Sequence, residues 1–337
     1  MLLLHWLGML LGLVAGIAAA ILGAGALVTL IVGLRVAARF PPDGPFVTVA
    51  GGRLAYLDAG PRDAERGTVV LLHGASANAA DPMEGVGRRL AADGFRVIAF
   101  DRPGFGWSDR LTGSAMAAPK AQGAAIAEAL TTLGIGPAIV LGHSWGGALA
   151  ASFGVEHPDR VSGLVLAAPV AMPYPSRGSL PWYYRLALNP PIAWVLSRTL
   201  ATPLGLYLLP RASRAVFQPQ DAPPDYLDRS RAALVLRPDT ILANLEDLFG
   251  LPAALAAQAP RYGTIRVPTV IVAGDADAAV PTERQGRPLA AAIPGATLVV
   301  LPGIGHMLQY VAVDALAAEV GRLADRIAAK PFSRAMP

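Results

Sequence analysis

The stretch AIVLGHSWGGALAASF, residues 138–153, sets the tightest limit on the fold. An apolar, β-branched run turns directly into a helix-like run, with one serine held between glycines at the corner. A strand followed by a helix on this pattern predicts a right-handed crossover to a parallel neighbour. The same alternation recurs along the chain. Short β-rich runs fall at 47–49, 54–57, 69–73, 96–100, 139–142, 163–166, 269–273 and 297–301, and helix-like stretches at 83–92, 121–133, 145–156, 282–292 and 311–328. Together they predict a three-layer α/β architecture built on a mostly parallel eight-stranded sheet covered on both faces. The first two runs, joined through Gly51-Gly52, read as an antiparallel hairpin at its edge. Ligands of such sheets sit beyond the carboxyl ends of the strands, so the residues just after strands carry the functional candidates.

Two parts of the chain depart from the alternation. Between 172 and 266 proline-interrupted helical segments replace strands, which predicts an inserted helical cap over the carboxyl edge of the sheet. The aromatic residues Trp182, Tyr183, Tyr184, Trp194 and Tyr207 in this part are expected mainly to pack its helices on one another. At the amino end, residues 1–34 are almost wholly apolar, well beyond the roughly 20 residues that cross a bilayer as helix. A cleaved signal peptide is disfavoured, because no Lys or Arg precedes the run and a cut after Ala24-Gly25-Ala26 would leave another apolar stretch. The expected organisation is a transmembrane anchor at 1–36, a linker at 37–45 containing FPPDGP, a core at 46–171 and 267–330, and the cap at 172–266. Arg35 and Arg39 after the apolar run, with no Lys or Arg before it, place the catalytic part in the cytoplasm by the positive-inside tendency. Gly8, Gly12 and Gly16 form a small-residue stripe through which two such helices could pair as a homodimer.

Composition removes several function classes. There is no cysteine among the 337 residues, so thiol nucleophiles and cysteine-held metals are excluded. The five histidines show no metal-ligand spacing, and neither a metal nor a cofactor is implied. The formal charge of +4 comes from scattered arginines, which does not predict nucleic-acid binding.

Gly142-His143-Ser144-Trp145-Gly146 fits G-x-S-x-G in the strand–turn–helix context that such a corner requires. The corner lifts the Ser144 hydroxyl clear of the backbone and leaves the Trp145 N–H unpaired at a helix start, free to donate to a developing oxyanion. After another strand, His73-Gly74-Ala75-Ser76 offers the Ala75 N–H as a second donor, with His73 itself structural. A serine needs a base. His306, in LPGIGHMLQ after the last strand, is the candidate, because His143 should point away from the serine on its strand. The carboxylate that orients the base is Asp277 in GDADAAVP, with Asp275 in reserve.

The combination of HGAS, DRPGFGWSD, GHSWGG, GDADAAVP and GIGHM resembles the α/β-hydrolase superfamily over roughly residues 45–328, and within it lidded bacterial esterases, C–C bond hydrolases and cofactor-free haloperoxidases. The resemblance implies the α/β-hydrolase fold, with Ser144 as nucleophile, Asp277 as acid, His306 as base and the amides of Ala75 and Trp145 as oxyanion hole. Epoxide hydrolases and haloalkane dehalogenases share the fold but attack with an aspartate, and serine at 144 argues against both activities. The expected activity is cleavage of a small apolar ester or similar acyl compound, by an enzyme held to membrane lipid through its first helix. The alternatives are a C–C bond hydrolase, an aminopeptidase using Glu246 or Asp247 to select an amine, and a non-catalytic binding or signalling protein retaining the fold.

Overall fold

A computed structural model describes residues 1–174 and 189–329. In chain order its main elements are α1 (Leu2–Arg39), β1 (Phe46–Val49), β2 (Gly52–Ala59), β3 (Thr68–Leu72), β4 (Arg96–Phe100), α2 (Pro119–Thr132), β5 (Ala138–His143) and α3 (Trp145–Glu156). They continue with β6 (Val161–Ala167), α4 (Pro190–Thr199), α5 (Ala201–Phe217), α6 (Pro238–Gln258), β7 (Thr269–Gly274), α7 (Gly286–Ala292), β8 (Thr297–Leu301) and α8 (Val313–Ala328).

The eight strands form one sheet in the order β1-β2-β4-β3-β5-β6-β7-β8. β1 and β2 form the expected antiparallel hairpin, β2 pairs antiparallel with β4, and every later pairing is parallel. Alternate side chains feed two cores. Val70, Leu72, Ile98 and Phe100 pack with α2 and α3 on one face, whereas Val69, Leu71, Val97 and Ala99 pack with α8 and residues 80–92 on the other. Burial on both faces explains why the inner strands read as unbroken apolar runs.

The chain between β6 and β7 holds α4, α5 and α6. Of the aromatic residues expected to pack these helices together, Trp182, Tyr183 and Tyr184 lie outside the described residues. Trp194 and Tyr207 correct that expectation: they are 53% and 60% exposed and face outward. Mean apolarity at a helical spacing marks one face without saying whether protein or another apolar phase covers it.

Helix α1 is long and apolar enough to cross a membrane, and it runs past the expected start of the connector to Arg39, where Phe40-Pro41-Pro42 ends it. Residues 1–21 are exposed, and Gly8, Gly12 and Gly16 have open space around them. From Leu22 onward one face is covered, and Gly25, Thr29 and Val36 are buried against the inserted helices. Helix α6 is also long and apolar enough to cross a membrane, but it is packed into the fold and carries a fully buried ion pair.

Candidate active site

The corner between β5 and α3 is as sharp as its glycines suggest. Ser144 has φ 54° and ψ −118°, a conformation that non-glycine residues rarely hold unless their surroundings impose it. A Cβ on Gly142 would overlap the Gly146 carbonyl oxygen, and one on Gly146 would overlap that of Leu72. The Ser144 N–H donates to Ala167 O at 3.0 Å, which fixes the corner to β6. The loop after β3 passes directly over the serine: a Cβ on Gly74 would lie 3.2 Å from Ser144 Cβ. Among the described residues neither the Ala75 nor the Trp145 N–H donates to a loop or turn carbonyl, so both amides keep their hydrogen-bonding capacity beside Ser144.

His306 follows β8 through a glycine-rich turn. Its Nδ1 lies 2.8 Å from Asp277 Oδ2, and both side chains are buried. Asp277 Oδ1 accepts the N–H groups of Ala279 and Val280 at 2.9 and 2.8 Å, which holds the carboxylate in place. An acceptor on Nδ1 leaves the Nε2 lone pair as the ring's free base. Asp275 is turned away, exposed and bonded to the Gly303 N–H at 2.6 Å. The geometry thus brings Asp277, not Asp275, to His306.

Ser144 and His306 line one cavity of about 240 Å3. Its floor is the loop from Gly74 to Ala77, and its roof comes from α5 and the segment after it, through Leu209, Ala212, Ser213, Val216, Tyr226 and Ala232. Asp81 and Met307 complete the wall.

His143 departs from expectation. It lines the same cavity, with its ring 4.8 Å from that of His306 and its Nε2–H donating to His306 O at 3.0 Å. Alternation along a strand would have sent it away from Ser144, but the chain has already left the strand at the serine, and the rule no longer relates the two side chains. Burial, and then the neighbouring His306, pull the His143 pKa down to about 3, so it is neutral. His73 is structural as expected. Its Nδ1 is 2.8 Å from Gly74 O, its Nε2 accepts the Arg102 N–H at 3.0 Å, and burial holds its pKa well below 6.5.

Two groups escaped the sequence reading. The first is Asp81, which faces the cavity from residues 80–92 and accepts from Tyr226 OH at 3.1 Å and Gln309 Nε2 at 3.3 Å. Burial pushes its pKa up to about 6 against those hydrogen bonds. The second is the pair Arg102–Asp247, both side chains fully buried and 2.6 Å apart. Arg102 also donates to His73 O and Gly74 O and lies 4.0 Å over the Trp145 ring. Asp247 in turn takes Arg110 at 2.8 Å, and Arg110 holds Glu246 at 2.9 Å. Neither acid is therefore free to select a substrate amine, which corrects the expectation attached to Glu246 and Asp247. Asn244, on the same helix α6, accepts the Ser76 N–H at 2.8 Å and donates to its hydroxyl at 3.0 Å. The loop that carries Ala75 is thus tied to α6 as well as to the strand it follows.

Comparison with known proteins agrees with this architecture. The chain is 30% identical over 285 residues to the 2-hydroxy-6-oxo-6-phenylhexa-2,4-dienoate hydrolase of Burkholderia cepacia, covering 80% of this chain and 92% of that protein. It is 30% identical over 239 residues to haloalkane dehalogenase 2 of Mycobacterium bovis, covering 68% and 78% of the two chains. The enol-lactonase from Burkholderia xenovorans LB400 superimposes with a TM-score of 0.62 at 25% identity, covering 83% of this chain and all of that one. The family model for the α/β-hydrolase fold matches residues 67–313, from the strand before the His73 loop to the helix after His306, and on that match the chain belongs to the α/β-hydrolase superfamily.

Proposed function

We propose that this chain is a membrane-anchored serine hydrolase that cleaves an ester, or a similar acyl bond, of a small apolar molecule. The observation that carries the reading is the Ser144 corner opening into the same cavity as the His306–Asp277 pair. Ser144 Oγ attacks the acyl carbon while its proton passes to His306 Nε2, and Asp277 stabilises the imidazolium so formed. The N–H groups of Ala75 and Trp145 receive the charge that develops on the carbonyl oxygen. His306 then protonates the leaving alcohol, and water activated by the same ring releases the acid. The helices between β6 and β7 act as the cap that shields these steps, and α1 anchors the enzyme, with Arg35 and Arg39 directing the catalytic part to the cytoplasm.

The C–C bond hydrolase reading has the similarity to the Burkholderia cepacia enzyme in its favour. The dienoate in that name is a carboxylate anion, however, and among the described residues lining the cavity there is no Lys or Arg, while Asp81 is acidic. An anion placed there would meet repulsion rather than a partner, which favours the neutral ester. With Glu246 and Asp247 committed to arginines, the aminopeptidase reading loses its expected amine-binding pair.

A fluorophosphonate probe separates a hydrolase from an idle fold. The intact protein is expected to be labelled and Ser144→Ala to resist, with kcat toward p-nitrophenyl esters falling on the order of 10^4-fold or more. Esters of graded acyl length assayed beside a ring-cleavage dienone distinguish the two chemistries. Preference for the dienone would replace the ester reading, and labelling of Ser144→Ala equal to the parent would remove the serine mechanism.

A further inference from the structure

Helix α1 is too long to be only a membrane span. At 1.5 Å per residue its 38 residues extend about 57 Å, roughly twice the hydrocarbon thickness of a bilayer. The structure divides it accordingly. Its first half is bare, and its second half lies along the cap: Thr29 Oγ1 donates to Thr199 O at 3.2 Å at the end of α4, and Gly25 sits so close that a Cβ would lie 2.6 Å from the same oxygen. Beyond the contact, Arg39 forms an ion pair with Asp228 at 2.9 Å, and Arg231 pairs with Asp43. The anchor and the cap are packed as one body along this seam.

The outward face of that body is rich in exposed apolar side chains, with Arg198, paired to Asp239, set beside Leu30 and Leu34. Leu30 and Leu34 on α1 are exposed, as are Trp194 on α4, Leu200 at the junction, and Leu204 and Leu208 on α5. Exposed apolar area of this extent on one side of a protein marks an interaction surface. Aromatic and cationic side chains stand together beside it, as they do at a bilayer interface: Arg198, ion-paired to Asp239, lies 4.5 Å over the Trp194 ring, and Arg211, donating to Tyr207 O, lies 3.9 Å over the Tyr207 ring. The opposite face of α5 carries Leu209, Ser213 and Val216 into the cavity. The same helix α5 thus contributes both to the exposed apolar surface and to the wall of the cavity that holds Ser144.

Resting on the reading of α1 as a membrane span, we propose that the α4–α5 face of the cap is itself immersed in the bilayer, at the acyl–headgroup boundary of the leaflet where α1 emerges, so that the cavity draws its substrate from the lipid phase. Continuity with α1 identifies the occupant as lipid: a helix crossing the bilayer carries the surface packed on its emerging half down to the membrane.

The absence of cysteine allows a direct test on the full-length protein. Nitroxide labels on single variants Leu11→Cys, Leu204→Cys and Arg62→Cys are compared in vesicles of phosphatidylcholine with phosphatidylglycerol, using oxygen as the lipid-phase relaxant and a nickel chelate as the aqueous one. The expected result is oxygen-dominated relaxation at 11 and 204 and nickel-dominated relaxation at 62. Lipid contact at 11 with aqueous contact at 204 would overturn the immersed cap while leaving the anchor intact, whereas aqueous contact at 11 would overturn the anchor and the proposal together. Dipolar broadening at 204 in lipid-diluted samples would identify a second copy as the occupant and equally overturn it. As a functional counterpart, the double variant Leu204→Glu, Leu208→Glu is expected to lose at least tenfold in kcat/KM on a long-chain ester dissolved in vesicles and to keep its rate on a short water-soluble ester. Equal rates on the vesicle substrate would count against lipid-phase supply.

Discussion

Asp81 holds a carboxyl at the wall of a mostly apolar cavity, with Tyr226 and Gln309 donating to it and Tyr310 fixing its backbone carbonyl. Burial raises its pKa from 3.8 to about 6, so the folded state binds this proton more tightly than the unfolded chain does. The stability linked to it is complete below pH 3.8 and is lost as the pH rises through about 6, an effect of at most about 3 kcal/mol. Asp81→Asn is therefore expected to raise the thermal midpoint more at pH 8 than at pH 4; an equal shift at both values would show that the carboxyl is solvated. Nothing in the sequence announced Asp81, because its partners lie 145 and 228 residues away. Ser144, Asp277 and His306 were legible for the opposite reason: each follows a strand, and the topology gathers strand ends at one edge of the sheet. The ring of His143 against His306 was not legible, since a strand's alternation says nothing once the backbone turns at Ser144.

Among the elements, the strands and the edge hairpin could be read from apolar runs and Gly51-Gly52, because burial on both faces leaves an unmistakable pattern. The first helix could be read only as a hydrophobic length. Its division at Leu22 depends on small residues, Gly25 above all, whose role is visible only when Thr199 lies against them. Gly25→Val is expected to lift the second half of α1 from α4 without touching the cavity, whereas Gly33→Val, with open space around it, should be tolerated. Hydrogen exchange across α4 reports the difference: protection of its amides should fall in the first variant and stay unchanged in the second. The outward aromatics of α4 and α5 were misread because apolar residues at a helical spacing mark a face without saying what, if anything, covers it.

For the whole molecule, the Arg102–Asp247 pair joins the sheet side of the fold to α6. Asp247→Ala leaves a buried guanidinium with its charge uncompensated, and the expected loss is about 3–5 kcal/mol of unfolding free energy. Urea titration measures it, and a loss below about 1 kcal/mol would mean that water enters to solvate Arg102. Asn244 works one turn away on the same helix, where it grips the N–H and the hydroxyl of Ser76. Displacing α6 would break that grip and slacken the segment bearing Ala75, so the placing of that amide over the cavity answers to the packing of a helix that does not line it.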